Sequence, residues 1–395
     1  MSPSLRPLDG VTVVSLEHAI AAPLCTRHLA DLGARVIKVE RPGRGDFARD
    51  YDSRVRGLAS HFVWVNRSKE SLTLDLKQPA ARAVLMDLLA GADVLVQNLA
   101  PGAAARLGLA FEALQPAHPR LIVCDISGYG NDGPYRDRKA YDLLIQSEAG
   151  FLSVTGTPEA AAKAGAPVAD IAAGMYAYSS VLAALLQRGR TGQGGHIDVS
   201  MLEALTEWMG YPLYYAFEGA APPPRSGAAH ATIAPYGPFA TADGTVMLGV
   251  QNEREWQAFC AQVLRQPALA ADARFASGAQ RNAHRAELQA AIAAVFSALR
   301  SAEVLQRLEL AQIANASVND MAGVWAHPQL AARRRWRTVD SPAGPLPALL
   351  PPGVSSSFEP RMDAVPAIGE HTDAILRALG RSDADMALLR QAGAI

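Results

Sequence analysis

Short apolar runs alternate with helical patterns through the first half of this chain, and that alternation restricts the fold more than any other feature. Val11–Leu16 (VTVVSL) is typical of a buried strand, and a helical pattern opening at Pro23 sets Leu24, Leu29 and Leu32 on one side. Gly33 ends that pattern, and Ala34–Glu40 (ARVIKVE) completes a βαβ unit. Leu72–Leu76, Asp93–Asn98 and Leu121–Ser127 read as further strands, with helices at Ala80–Leu89 and Gly102–Leu107. The pattern predicts an α/β fold: a parallel, doubly wound sheet with helices on both faces. Ligands of such sheets sit at the carboxyl ends of the strands. That rule marks His18, Arg41, Asn98 and the Gly128–Gly133 loop. The first turn, from Glu17 to Pro23, lacks the glycines that let a backbone approach a pyrophosphate, so NAD or FAD is not expected there.

A second feature is the uncharged stretch Ile171–Gln187, headed by a single acid, Asp170. Its small residues Ala172, Ala173, Gly174 and Ala177 would let a helix approach another backbone closely. Arg188 and Arg190, a glycine-rich turn and a strand at His196–Met201 follow. Asp170 has two readings. It can be the helix N-cap, accepting from the first free N–H groups. Held ionised by the helix terminus, it can also be a carboxylate nucleophile toward an activated acyl group. The stretch approaches membrane length, but its Ala, Gly, Ser and Tyr content favours a buried core helix over a span.

The formal net charge of −1 gives no general attraction to nucleic acid or an anionic membrane. Cys25, Cys124 and Cys260 lie far apart without zinc-type spacing, so neither a disulfide framework nor a metal is expected. The N-terminal MSPSLRPLDG has no signal pattern, and a cytoplasmic protein is the expectation. Ala221–Gly227, with three consecutive prolines, reads as a linker, and Pro235–Val250 as a hairpin turning at Asp243-Gly244. Helical patterns at Glu253–Leu264, Ala286–Ala298 and Ala302–Ala311 then make a smaller α+β domain. The expected organisation is a large domain over 1–220, the small domain with its linker over 221–325, and a return segment over 326–395 completing the large domain. A late helix is expected at Asp373–Leu379.

Several motifs stand in one order: PLDGVTVVSLEHAIAAP, LADLGARVIKVERPGRGDFAR, NRSKESLTLDLK, ADVLVQNLAPGAAARLG, AYDLLIQSEAG, TGTPEAAAKAGAPVADIAAGMYA, RTGQGGHIDVSM and IGEHTDAIL. Together, from Pro7 to about Leu379, they resemble the class III CoA-transferases, the CaiB/BaiF family that includes formyl-CoA transferase and α-methylacyl-CoA racemases. The resemblance implies a large Rossmann-like domain built from both ends of the chain, an inserted small domain, and an interlocked homodimer. It implies coenzyme A and its thioesters as substrates, with no permanently bound cofactor.

Carried over by position, Asp170 matches the aspartate that forms the covalent acyl intermediate, and Asp142 an acid near it. His18, Ala19, Arg41, Leu74, Lys77, Asn98, Leu99, Arg106, Lys139 and Tyr141 match positions lining the CoA site. Arg and Lys suit the CoA phosphates. The racemases resembling this family have a histidine directly before the acid of the 142 loop. Here that residue is Tyr141, a poor base at neutral pH, so a transferase is expected, with the racemase as the alternative. Ile20 replaces a glutamine that contacts oxalate in formyl-CoA transferase, and His61 replaces a tyrosine. Ser226–Thr232, containing His230, replaces a glycine-rich lid. Ile20, His61 and His230 are therefore the substrate-side candidates. Segments 44–52 and 57–72 look most like members using succinyl-CoA and malate, citramalate, itaconate or mesaconate. Arg49, Arg54, Arg67 and His230 are the candidate cations for an acceptor's second carboxylate.

Overall fold

A computed structural model describes residues 5–395 and resolves into two compact units. The first holds the residues up to Gly150 together with Ala164–Met209 and Gln329–Ile395. Its elements are β1 (Thr12–Leu16), α1 (Ala21–Asp31), β2 (Arg35–Glu40), β3 (Lys69–Thr73), α2 (Pro79–Ala90) and β4 (Val94–Gln97). They continue as α3 (Ala103–Arg106), β5 (Ile122–Ser127), α4 (Asp142–Glu148), α5 (Val168–Thr191) and β6 (Gly195–Ser200). The six strands form one parallel sheet in the order β3-β2-β1-β4-β5-β6. Strands β1 and β4 are neighbours although β2 and β3 intervene in the chain, so the order reverses between them. That is the crevice where doubly wound sheets bind ligands.

Strands flanked by helices on both faces need apolar side chains on both. One face places Val14, Leu16, Ile37, Val39, Leu95 and Val123 against Val84, Leu85 and Leu88 of α2. Strand β3 is offset from the expected Leu72–Leu76 and begins at Lys69. Its first residues are polar but buried, because Lys69 and Ser71 have buried partners in Glu17 and Glu40. The C-terminal segment hydrogen-bonds back onto this edge: His371 N to Ser71 O (3.0 Å), Thr73 N to Thr372 Oγ1 (3.1 Å) and Asp75 N to Ala394 O (2.8 Å).

Helix α5 packs against α1, and the reason is small side chains. A Cβ added at Gly174 would stand 2.6 Å from the Ala21 carbonyl oxygen. Ala169, Ala172, Ala173, Ala177 and Val181 complete the buried stripe. The expected buried core helix is buried on one side: a third of the most apolar window of this helix is buried within the chain. Met175, Tyr176 and Leu186 lie exposed. Among the described residues it is the one single helix long and apolar enough to cross a membrane.

The second unit comprises Phe151–Lys163 and Gly210–Pro328. Antiparallel strands β7 (Tyr236–Ala240), β8 (Thr245–Gly249) and β9 (Ala314–Ser317) cover a core with Trp256, Phe259, Phe275 and Phe296. Its bounds differ from 221–325 and take in 151–163, because this segment is tied to the proline-rich linker. Gly227 N donates to Gly156 O (2.7 Å) and Arg225 Nε to Thr157 O (2.9 Å). A further two-stranded ribbon in the first unit, β10 (Trp336–Val339) and β11 (Leu346–Leu349), lies in a stretch whose prolines hid it from sequence reading.

Candidate active site

Asp170 is the third residue of α5, not its N-cap; Pro167 holds the cap position and gives no side-chain bond. The capping is done from outside the helix. Asp142 Oδ1 accepts from Ala169 N (2.8 Å) and Asp170 N (3.3 Å). Its other oxygen accepts from Gln146 Nε2 (2.6 Å), whose Oε1 accepts from Ala164 N (2.9 Å). An acid 28 residues upstream thus takes the role that local sequence offered to Asp170. The Asp170 side chain is left unengaged at a partly open helix terminus.

Its ionisation also departs from the expectation. Burial, reinforced by the negative charge of Asp142, pushes the Asp170 carboxyl up to about 7. It is a mixture of acid and carboxylate near neutrality, and fully ionised only above that range. Tyr51, unmarked in the sequence, sits in the same field. Burial, with the charges of Asp46 and Asp170, pushes its phenol up to about 12, so it stays a protonated donor. Its ring meets His61 edge-on (5.5 Å) and Phe47 (5.7 Å), and Phe47 stacks on His18 (5.3 Å). An aromatic row therefore links the β1–α1 turn to the surroundings of Asp170.

That turn is held in an uncommon shape. Ala19 has φ of 59°, left-handed for a residue with a side chain, and its N–H bonds Asp46 Oδ1 (3.2 Å). Asn98, across the β1–β4 crevice, grips His18 twice. Its Oδ1 accepts from His18 N (2.8 Å) and its Nδ2 donates to His18 O (2.9 Å). Both ends of the Asn98 amide are used in this clamp. The His18 ring is kept neutral by burial, and its Nδ1 is buried without a hydrogen-bond partner among the described residues, 3.9 Å from Asp46 Oδ1. Under the turn, Lys69 bonds Glu17 (2.6 Å) and Lys38 bonds Asp46 (2.7 Å), all four fully buried.

The CoA-site candidates fall along one rim. Lys77 follows β3, Arg41 β2, His18 β1, Asn98, Leu99 and Arg106 β4, and Lys139 and Tyr141 β5. Arg41, Lys77, Arg106 and Lys139 are exposed and have no carboxylate within ion-pair distance among the described residues, whereas Arg35, Arg49, Arg67 and Arg188 all do. Four unpaired cations following four parallel strands make a rim suited to a polyanion. A cavity of about 410 Å³ opens beside it, lined by Pro42, Gly43, Thr73, Gly369, Thr372 and Arg390. Leu74 is buried in the core beneath.

The substrate-side candidates separate. Ile20 is 3 % exposed and packs with Leu24, Val65 and Ile171, so it ties the β1–α1 turn to the residue after Asp170. His61 lies 3.6 Å from Asp52 and against Tyr51. His230 belongs to the second unit, where its Nδ1 accepts from Thr232 N (3.2 Å) and Ile233 N (3.1 Å) and its ring stacks on Tyr236. Those two amides are turned onto the ring. Arg49 and Arg67 are also unavailable to an acceptor: each holds a carboxylate through two nitrogens, Glu40 (2.8 and 2.7 Å) and Asp31 (3.1 and 2.7 Å).

The profile of CoA-transferase family III matches residues 8–372. The succinate–glutarate CoA-transferase of Agrobacterium fabrum is 34 % identical over 94 % of this chain and 96 % of its own length. The succinyl-CoA–D-citramalate CoA-transferase of Chloroflexus aurantiacus is 36 % identical, covering 73 % of this chain and 72 % of that one. A solved CaiB/BaiF family protein from Brucella suis superposes with a TM-score of 0.84 at 34 % identity, over 95 % of this chain and 99 % of that one. With match, fold and identity agreeing over almost its whole length, the chain belongs to the class III CoA-transferases.

Proposed function

We propose that this enzyme moves CoA from succinyl-CoA to a C4–C5 dicarboxylate, with Asp170 as the nucleophile. The observation that carries the reading is an acid without a cation at the capped start of α5, in the same unit as a rim of unpaired cations. The glutarate and citramalate named for its relatives set the acceptor class. Malate, itaconate and mesaconate belong to the same class.

In the forward step a carboxylate oxygen of Asp170 attacks the thioester carbonyl; the C–S bond breaks and CoA thiolate leaves a mixed anhydride. The thiolate attacks the aspartyl carbonyl, freeing succinate and leaving an aspartyl-CoA thioester. The acceptor carboxylate then attacks that carbonyl, and the same two steps run in reverse, returning Asp170 and the new thioester. A carboxylate suits this work because its anhydride and thioester lie near the substrate thioester in energy. The first-turn amides of α5 are already bonded to Ala166, Asp142 and Pro167. Tyr51 remains as a protonated donor for the developing oxyanion. Arg41, Lys77, Arg106 and Lys139 receive the phosphates, and His61, beside Tyr51, borders the acyl portion.

The racemase alternative is not favoured: the residue before Asp142 is a tyrosine, and the relatives above are CoA-transferases. We also infer an interlocked homodimer. The exposed Met175, Tyr176 and Leu186 of α5 and, in the second unit, Tyr214 and Phe217 are apolar surface in need of cover. Light scattering should give twice the chain mass, and a monomer would remove this inference.

The decisive test is the intact mass of protein mixed with succinyl-CoA, then treated with hydroxylamine and mapped by peptide. Modification of the Asp170 peptide, absent in Asp170→Ala, is expected. No adduct, together with exchange of the α-proton in heavy water, would replace this reading by the racemase. CoA-ester binding with neither result would leave a silent binding protein.

A further inference from the structure

A polar chain runs from the amino end of β6 across β5 to the carboxyl end of β4 and ends at the crevice. His196 Nε2 lies 2.8 Å from Asp125 Oδ2, and Asp125 Oδ1 accepts from Gln97 Nε2 (2.8 Å). Gln97 Oε1 accepts from the backbone N–H of Leu99 (2.7 Å). Between Gln97 and Leu99 stands Asn98, the residue that grips His18 by both backbone groups. The sequence from ring to carboxylate, amide, turn, amide and His18 backbone has no gap.

Each link has one workable orientation. Because Gln97 Oε1 is taken by Leu99 N–H, its amide nitrogen must face Asp125. Gln97 and Asp125 are 7 % and 8 % exposed, so the carboxylate needs a strong donor on its second oxygen. Asn131 Nδ2 reaches that oxygen only at 3.5 Å, and its backbone N–H is given to Asp198. His196 is therefore the close donor. Its ring also lies flat on Phe111 (5.5 Å, 10° between planes), just beyond α3. His196 thus meets one end of the segment that carries Asn98, Leu99 and Arg106 directly, at Phe111, and the other through Asp125 and Gln97.

We propose that His196 is a positioning residue for acyl-CoA binding, acting through Asp125 and Gln97 on the 98–99 turn and through that turn on His18. The role rests on the CoA-transferase reading and on the CoA site at this rim. It gives the sheet-edge strand β6, distant along the chain from that rim, a share in setting donor affinity without touching the acyl group. The groups facing the ring are Asp125, Asp198 and Glu112, and the Asp125 bond above all holds the imidazole above its ordinary value. Charged, it is the stronger partner for the carboxylate.

The test compares wild type, His196→Ala and His196→Gln in the full-length protein, by calorimetric titration with free CoA, steady-state kinetics and melting temperature. Loss of a charge-assisted bond is expected to weaken CoA binding, and to raise KM for the acyl-CoA, about tenfold in His196→Ala. Turnover at saturation and KM for the acceptor should stay unchanged. His196→Gln, whose amide can donate to Asp125, should recover most of the affinity at a similar melting temperature. CoA affinity unchanged in His196→Ala, with or without a lower melting temperature, would overturn the proposal, as would a fall in turnover with affinity intact. Wild type failing to bind CoA would bring down the underlying reading itself, and that result is visible before any variant is compared.

Discussion

The first unit buries acids in two ways. Beneath the β1–α1 turn, Glu17 and Asp46 are wholly enclosed but matched by Lys69 and Lys38, and each of their four carboxylate oxygens has a hydrogen-bond donor. Lys69 alone donates to Glu17, the Pro23 carbonyl and Asn66 (2.6–3.0 Å). At the start of α5, Asp170 has no cation within ion-pair distance among the described residues and a second carboxylate, Asp142, as its neighbour. The first arrangement neutralises charge and fixes shape; the second keeps a charge expensive and ready to form a bond. Burial alone therefore does not mark a working acid, and the absence of a partner does.

That contrast can be broken experimentally. The largest effect should come from Asp170→Asn, which is expected to cut CoA transfer at least about 10³-fold, read as the rate of acyl-CoA formation. Lys69→Met should act on stability instead. Stranding Glu17 in the interior costs about 3–5 kcal/mol, measured by urea unfolding, with succinyl-CoA still acylating whatever remains folded. Asp170→Asn should move stability the opposite way. An acid whose folded value lies above its unfolded one favours the fold below the unfolded value and loses that advantage as pH rises through the folded one. The variant should thus gain about 1–3 kcal/mol over wild type at pH 8, after allowance for its partial exposure, and the gain should vanish toward pH 4. If Asp170→Asn is no more stable at pH 8, the two regions do not differ as described.

Smaller effects sharpen the comparison. Plotted against pH, kcat/KM should rise through about 7 as Asp170 ionises. Asp142→Asn keeps a capping side chain but removes the like charge, so the rise should move to lower pH. An unmoved midpoint would leave burial as the whole cause. Tyr51→Phe, losing one hydroxyl donor, should lower turnover by about tenfold or less, with CoA affinity unchanged in titration.

Much of this was legible in the residues. Apolar runs placed β1, β2, β4 and β5 because each is short and centred on apolar, largely β-branched residues, and Asp170 stood out as one acid before a long uncharged helix. Strand β3 slipped because Lys69, Glu70 and Ser71 look like a loop until their buried partners are known. The carboxylate partners lie far along the chain, Glu17 in the β1–α1 turn and Glu40 on β2, and no local pattern reports them. The same distance hid Asp142 as the cap of α5. The burial of Lys38 and Lys69 has no local signal for the same reason. The last helix, Asp383–Gln391, did carry a signal: Ser382 and Asp385 form a capping box. His230 carried none, since only the folded turn shows its ring occupied by amides two and three residues on.

Gly174 has a consequence for how the reaction can tolerate change. With no side chain there, α1 and α5 touch backbone to backbone. One of these helices opens at the turn holding His18, and the other opens at Asp170. In the proposed reaction, the spacing between the His18 turn and Asp170 is thereby set by backbone against backbone and not by packed side chains. Core residues elsewhere can drift, one methyl group at a time, and the gauge of the site stays as it was.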